Sequence, residues 1–467
     1  MKVSILVPVY NERALAERSL QAVLNAPLPE GLEREVVVVD DCSTDGTGAI
    51  LERLAARTPE IRLFRHEVNQ GKGAAVRTAI QQANGDFCLI QDADLEYDPN
   101  DYPALLKPLL EGHADAVFGS RYMAGVQTRV LPFWHSQMNK GLTTLSNMFC
   151  NLDLTDMETC YKVFRTDLLK SIPIRSNRFG IEPEITMKCA KRKLRIYEVP
   201  ISYHGRTYEE GKKIGWKDGL KALGAILYFW LVDDLYVQQY GFAHLNNLTG
   251  TPQYVNWLAD LIRPHAGDAV LELSAGIGTL TGRLMGRRTR YVAGEDEPLL
   301  LHALRNRFLR TPNVEARELS PDADWGTGSG EFDTVVAVAV LEYAEDPAKV
   351  LRQAAKALEP GGKLVAVAAR GPGLMGSVDR ALGYQRRFTA DDLRAMAAAA
   401  GLESVEVRSF NKISTPVWLV NSKVLGVGKI NKLTLKIFDK TVWLWRRLDP
   451  VLPWPGLSLV MTAKRPG

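Results

Sequence analysis

The run Phe87-Cys88-Leu89-Ile90-Gln91 ends on Asp92-Ala93-Asp94. An apolar strand here delivers two carboxylates to its exposed C-terminal end, and residues i and i+2 of an extended chain point the same way. Two such groups can hold a hard divalent cation, which in turn can hold a diphosphate. Acidic turns after strands are common, so the pair takes its meaning from its surroundings. Two other strand ends are polar: Val7-Pro8-Val9-Tyr10-Asn11-Glu12, and Asp40-Asp41-Cys42-Ser43-Thr44-Asp45-Gly46-Thr47. Far along the chain, Glu272-Leu273-Ser274-Ala275-Gly276-Ile277-Gly278-Thr279 sits between a strand and a helix. Glycine lets the backbone approach a ligand closely, and Asp296, about two dozen residues later, suits a ribose hydroxyl.

These residues need strands to carry them. Val3 to Val9, Glu35 to Val39, Ile61 to His66 and Phe87 to Gln91 read as strands, with helices opening at Asn11-Glu12, Ser43-Thr44-Asp45-Gly46 and Gly71-Lys72-Gly73. This alternation predicts an open, mostly parallel α/β sheet with ligands at the strand C-termini. A second α/β unit begins near residue 253, with strands at Ala269–Leu273, Arg290–Ala293, Phe332–Val338 and Lys363–Ala368. The expected organisation is a first domain over 1–235, a linker over 236–252 and a second Rossmann-like domain over 253–467. No internal repeat or low-complexity tract interrupts it.

Composition agrees with two such cores. The chain has 467 residues, 46% hydrophobic and 24% charged, and a net charge of +4 that is too small to argue for a nucleic-acid partner. Five scattered cysteines without a Cys-x-x-Cys fit a reducing cytoplasm and argue against a zinc site. The N-terminus reads as a strand rather than a signal peptide, and no apolar run is long enough to span a bilayer. The expected location is cytoplasmic, with peripheral contact to the inner face of the cell membrane as an option. The stretch Gly219 to Val232 reads as an amphipathic helix that suits a membrane interface or packing on another domain.

Together the three N-terminal strand ends resemble family 2 glycosyltransferases of the GT-A fold. That resemblance implies that Pro8, Tyr10 and Glu12 line a nucleotide pocket, with Gln91 beside them at the end of its strand. It implies that Asp40 reads the base, that Asp41 lies near the ribose, and that Asp92 and Asp94 bind the diphosphate with Mg²⁺ or Mn²⁺. Helix capping is the alternative for Asp40 and Asp41, since acids suit helix N-termini. Cys42 stands where glycine is common. Further motifs resemble the dolichol-phosphate mannosyltransferases and bacterial polyprenyl-phosphate glycosyltransferases: Gly119-Ser120-Arg121-Tyr122, Glu158 to Arg165, Gly180-Ile181-Glu182-Pro183-Glu184, Glu198-Val199-Pro200 and Gly205 to Lys213. A nucleotide sugar and a polyprenyl phosphate are then the expected partners. An acceptor phosphate needs guanidinium or ammonium groups, for which Arg121, Arg206 and Lys213 are candidates. Such an acceptor is already ionised, so positioning and charge neutralisation suffice. The alternative is a saccharide or protein hydroxyl acceptor, deprotonated by Glu184.

The second set, Glu272 to Thr279, Phe332-Asp333-Thr334-Val335-Val336, Val340-Leu341-Glu342-Tyr343 and Leu358-Glu359-Pro360-Gly361-Gly362-Lys363, resembles class I S-adenosylmethionine-dependent methyltransferases. By that resemblance Glu272, Gly276 and Gly278 cradle the methionine part of S-adenosylmethionine and Asp296 binds its ribose. Methylation of a small molecule or glycan intermediate would follow. Ser274 replaces the usual first glycine, and Tyr343 and Tyr384 stand where relatives often carry histidines. A degenerate domain that only binds cofactor or acts as a scaffold is the alternative. Tyr384, Arg386 and Arg387 are candidates for an acceptor site. The C-terminal stretch is aromatic and basic, which suits a membrane interface or a lid over a pocket.

Overall fold

The computed structural model describes residues 1–125, 129–206, 216–232, 234–235, 250–426 and 432–467. It divides into two compact units, Met1–Val237 and Gln238–Gly467. Residues 236–249 of the expected linker lie outside the described residues, as does Lys213.

The first unit is built on seven strands: β1 (Lys2–Val9), β2 (Glu33–Asp40), β3 (Ile61–Arg65), β4 (Phe87–Ile90), β5 (Ala116–Ser120), β6 (Lys162–Arg165) and β7 (Ile196–Pro200). Their order in the sheet is β3-β2-β1-β4-β6-β5-β7. β6 alone runs antiparallel to its neighbours, β4 and β5. Val36 to Val39 are wholly buried, as a parallel strand covered on both faces must be. Parallel pairing of β1 with β2 brings Val9 level with Asp40. The polar residues that follow β1, β2 and β4 therefore gather at one sheet edge, around the switch point between β1 and β4.

The second unit repeats this logic with β8 (Ala269–Leu273), β9 (Arg290–Glu295), β10 (Val314–Glu318), β11 (Phe332–Val338), β12 (Leu358–Ala369), β13 (Glu403–Phe410) and β14 (Ser458–Lys464). The order is β10-β9-β8-β11-β12-β14-β13, with β14 inserted antiparallel between β12 and β13. Its switch point lies between β8 and β11, and the glycine loop follows β8. Both units are thus mostly parallel, Rossmann-like α/β sheets, as the sequence pattern predicts.

The helix Trp216–Leu231 buries Ala222, Ile226 and Phe229, one helical face, and packs on the helices Phe133–Cys150 and Ile181–Lys191 of its own unit. Leu220, Leu227, Tyr228, Trp230 and Leu231 remain exposed. Among the described residues, no helix is long and apolar enough to cross a membrane.

Candidate functional site

Backbone conformation marks both strand edges. Asn11 after β1, Cys42 after β2 and Leu95 after β4 have positive φ of 51°, 61° and 59°. Ser274 after β8 and Ala339 after β11 do likewise, at 49° and 53°. Side chains with a Cβ pay for this conformation, and such residues concentrate where a turn must present groups to a ligand. It also explains why glycine is usual at the positions of Cys42 and Ser274.

At the first edge, Asp92 and Asp94 come together with Glu12, Glu96, Lys72 and Arg206. Lys72 Nζ lies 3.0 Å from Asp92 Oδ2 and 3.0 Å from Glu182 Oε1. Arg206 Nη2 lies 3.0 Å from Asp94 Oδ2, its Nε 3.2 Å from Glu96 Oε1, and its Nη1 3.7 Å from Glu12 Oε2. Glu96 further accepts the Tyr203 hydroxyl at 2.6 Å and the Arg206 backbone N–H at 3.0 Å, tying that segment to the acidic turn. Burial, then the Asp92 and Glu96 charges, push the Asp94 carboxyl up to about 7. Crowded, oxygen-only donors of this kind suit a hard divalent cation, which relieves their repulsion. Among the described residues there is no cluster of three or more His, Cys, Asp or Glu arranged to hold a metal.

Several residues expected at this site are engaged elsewhere. Gln91 is buried: its Oε1 accepts the Tyr102 and Tyr161 hydroxyls, each at 2.7 Å, and its Nε2 donates to the Asp92 carbonyl. Asp40 Oδ1 accepts the Ser43 N–H at 2.9 Å, a turn-closing bond, and Arg65 Nε stands 3.3 Å from Oδ2. Asp41 accepts the N–H groups of Gln70 (2.9 Å) and Gly71 (2.7 Å) and faces His66 Nδ1 at 2.7 Å. It thus clamps the loop that launches Lys72 onto Asp92. That loop is tightly seated, since a Cβ on Gly71 (φ +97°) would lie 2.4 Å from the Asn177 carbonyl oxygen. Pro8 is partly buried, and Tyr10, at 41% exposure, is the open member of the group.

The phosphate-binding candidates separate. Arg206 stands at the acidic turn, whereas Arg121, 6% exposed, makes a two-pronged pair with Asp156 at 2.6 and 2.8 Å and lies over Tyr203. Its side chain is more deeply buried than that of Arg206, which is 17% exposed. Glu184 is wholly buried: Oε1 accepts the Arg175 N–H and the Lys188 ammonium, and Oε2 accepts the Ser176 N–H. With both oxygens occupied and no exposure, it is poorly placed to take a proton from a hydroxyl. Lys72, Glu96 and Asp156 had no local motif to announce them. Their roles come from partners 20 to 110 residues away.

At the second edge, Gly276 (φ 60°) and Gly278 (φ 74°) turn the loop after β8. A Cβ on Gly278 would sit 2.3 Å from Phe308 Cε2, so the cradle closes only with glycine there. Glu295, the last residue of β9, accepts the Gly276 N–H at 2.7 Å and thereby sets the loop. Asp296 is exposed, and its side chain stands beside that of Glu295, whose carboxyl its charge helps to raise. Glu272 instead turns inward: its Oε2 accepts the Thr281 hydroxyl at 2.6 Å and the Tyr291 hydroxyl at 2.8 Å. Glu342, after β11, accepts the Ala369 N–H at 2.6 Å through Oε1, while Oε2 is buried with no hydrogen-bond partner among the described residues. Burial raises Glu272, Glu295 and Glu342 to about 7 each. Tyr343 and Tyr384 meet edge to face at 5.1 Å. Arg387 is buried against Asp379 at 2.8 Å, which withdraws it from an acceptor site, while Arg386 is half-buried. This loop thus brings Asp296, Glu295, Glu272 and Glu342 to one strand edge.

Known proteins match the two units separately. Glycosyl transferase family 2 matches residues 4–172, and a methyltransferase domain family matches residues 271–364. The chain is 30% identical over 217 residues to the dolichol-phosphate mannosyltransferase of Pyrococcus furiosus, a stretch covering 46% of this chain and 60% of that protein. It is 30% identical over 221 residues to the undecaprenyl-phosphate mannosyltransferase of Micrococcus luteus, covering 46% of this chain and 88% of the relative. The chain thus spans about three-fifths of the archaeal relative's length. Among solved structures, glucosyl-3-phosphoglycerate synthase of Mycobacterium tuberculosis, in complex with Mn²⁺, UDP and glucosyl-3-phosphoglycerate, matches with a TM-score of 0.39 and 21% identity over 50% of this chain and 81% of that one.

Proposed function

From the premise that this chain belongs to glycosyl transferase family 2, we propose that its first domain moves a sugar, with inversion, from a UDP- or GDP-linked donor to a polyprenyl phosphate. The observation that carries this reading is the grouping of Asp92 and Asp94 with Arg206 and Lys72 at one strand end. Carboxylates for a metal and a guanidinium for phosphate oxygens stand side by side there. The names of the two mannosyltransferase relatives supply the acceptor class. Asp92 and Asp94 would hold Mg²⁺ or Mn²⁺, which neutralises charge building on the leaving diphosphate. An acceptor phosphate oxygen bonds to the anomeric carbon as the bond to the diphosphate breaks, and the nucleoside diphosphate leaves with the electron pair. No proton must be removed, so the occupied state of Glu184 costs this reaction nothing. Glu12, Tyr10 and Pro8 would border the donor, with Asp41 acting through the Lys72 loop.

The second domain is proposed to use S-adenosylmethionine to methylate a small molecule or a glycan intermediate. That cofactor supplies an electrophilic methyl group on a cationic sulfur. Gly276 and Gly278 would admit its backbone-facing part, Asp296 its ribose, and Glu295 would keep the loop in shape.

The test offers labelled UDP- and GDP-sugars, Mn²⁺ and undecaprenyl phosphate in detergent to the purified chain and reads label in the organic phase. Asp94→Asn and Arg206→Ala should each lower transfer by about a hundred- to a thousandfold, the range seen when one transition-state contact is removed. S-adenosylmethionine binding, followed by calorimetry, should survive both changes. Label appearing only on soluble saccharides would overturn the phosphate acceptor, and no calorimetric signal would overturn the cofactor.

A further inference from the structure

β13 and β14 are antiparallel neighbours, with Phe410 level with Ser458. Such a pair needs a connection of only about two to five residues. Here residues 411–457 intervene and form the helices Ser414–Leu419, Lys432–Lys440 and Val442–Leu448, with a π-helical turn over Val420–Val424. The two ends of the insertion are clasped. The Trp454 indole N–H donates to the Lys412 carbonyl at 2.8 Å, Lys412 Nζ to the Leu452 carbonyl at 2.9 Å, and Thr415 Oγ1 to the Pro455 carbonyl at 3.1 Å. One side packs down on the unit: Trp418 is covered by Arg387 at 4.8 Å, Val442 is buried, and Phe438 meets Tyr254 at 5.8 Å.

Several other apolar side chains of the insertion have no such cover. Val424 is 76% exposed, Val451 73%, Trp443 and Leu425 61% each, and Ile437 56%. Exposed large apolar side chains that gather into a patch mark protein or membrane contact surfaces. The charge around them has one sign. Among the described side chains of residues 411–457 there are six Lys and Arg against two Asp. Both Asp residues are buried and spent on the fold: Asp439 accepts the Tyr254 N–H at 2.9 Å, and Asp449 accepts the Lys412 N–H. Arg447 lies over the exposed Trp443 ring at 5.7 Å. Arg446, by contrast, is paired with Asp260 at 2.7 Å and belongs to the packed side. A cationic surface with protruding Trp, Ile, Val and Leu, and no outward acid within the insertion, complements an anionic lipid headgroup layer over hydrocarbon.

We propose that the insertion between β13 and β14 is a membrane-docking surface that seats the second unit on a bilayer containing anionic phospholipid. The occupant is the lipid surface itself, and the inference stands whether or not the first domain transfers sugar to a lipid. It deepens the proposed function in one respect: a chain held there is confined to the phase where a polyprenyl substrate lies.

Flotation of the full chain with phosphatidylcholine vesicles, with and without phosphatidylglycerol, tests it. Binding should require the anionic lipid and weaken with salt. The variant Lys436→Glu/Lys440→Glu should bind at least about tenfold more weakly, given the usual contribution of each cation near such a surface. Ile437→Ser/Trp443→Ser should weaken binding similarly, at both low and high salt. Melting temperature and S-adenosylmethionine binding, measured on the same proteins, should stay unchanged. Leu227→Ser/Trp230→Ser, on the exposed face of the first unit's helix, is the control. The proposal is overturned if wild type fails to float, if only the control variant loses binding, or if the insertion variants alter cofactor binding or oligomeric mass without altering flotation. Those last results would make the insertion a lid or a contact between copies.

Discussion

The two strand edges use acidic residues in opposite ways. At the first edge each carboxylate faces a cation: Asp92 faces Lys72, Asp94 faces Arg206, and the nearby Asp156 faces Arg121. At the second edge the acids lean on neutral donors. Glu272 has two hydroxyls, Glu295 has the N–H groups of Gly276, Asp296 and Glu297, and Glu342 has the N–H of Ala369. A site that handles diphosphate and phosphate needs positive side chains already in place beside its metal-binding acids. A site for a cationic cofactor gains from acids that no lysine or arginine has neutralised. The shared Rossmann-like layout therefore says little about the ligand, whereas the partners of the acids say much.

The largest effect that can break this comparison is at Arg121. Its side chain and that of Asp156 are both buried, so Arg121→Met would strand a carboxylate in the core. Removing one member of such a pair costs about 3–5 kcal/mol. A two-step thermal melt should show the first unit's transition falling while the second unit's holds. If stability is intact and only the apparent affinity for the acceptor phosphate falls, Arg121 is a ligand group, as its motif suggested, and the pairing seen here is secondary.

Much of the layout was legible in the chain. Val36 to Val39, Phe87 to Ile90 and Ala269 to Leu273 are short apolar runs that end in Asp or Glu or in a glycine turn, a local signal for a strand presenting polar groups. β6 and β14, which run against their neighbours, carry no comparable cue, because direction is set by the connection and not by the residues. Which acids are available was equally hidden. Glu184 sits in the first turn of the helix Ile181–Lys191, where its position resembles that of Glu182, yet it is sealed by Lys188 while Glu182 reaches Lys72. Gln91 adjoins Asp92 but is turned to two tyrosines. Glu295, one residue before the expected Asp296, is the acid that holds the glycine loop. Each outcome depends on a partner distant in sequence, and spacing does not encode it.

A smaller effect tests the neutral-donor edge. Glu342 has a folded value of about 7, raised by burial from the ordinary carboxylate range. Between these values the folded state holds a proton that the unfolded state has lost, so the second unit should lose stability as pH rises from about 4.5 to 7 and level off above that. Glu342→Gln removes the cost of ionisation and keeps the acceptor for the Ala369 N–H. Its melting temperature should exceed that of wild type at pH 8, by up to about 3 kcal/mol in stability terms, and match it near pH 4.5. A difference that is constant across pH would mean that Glu342 already has a compensating charge, and the contrast between the edges would narrow. Saturating S-adenosylmethionine should shrink the pH dependence of wild type if a positive ligand supplies what the acids lack.

The smallest effect is at Ser274, where the first glycine of the loop is missing. Its φ of 49° is a left-handed conformation that costs a residue with a Cβ about 1–2 kcal/mol, and Ser274→Gly removes that cost. Part of the gain is returned because glycine orders less readily, about 0.5–1 kcal/mol. The net stabilisation of the second unit should therefore stay at or below about 1 kcal/mol. The informative readout is the cofactor rather than the melt. If the loop is already shaped by the Glu295–Gly276 bond, S-adenosylmethionine affinity should change by less than about threefold, under 1 kcal/mol. If affinity rises tenfold or more, the serine and not the acid limits the cradle, and the second edge is a weakened cofactor site whose uncompensated acids no longer serve a ligand.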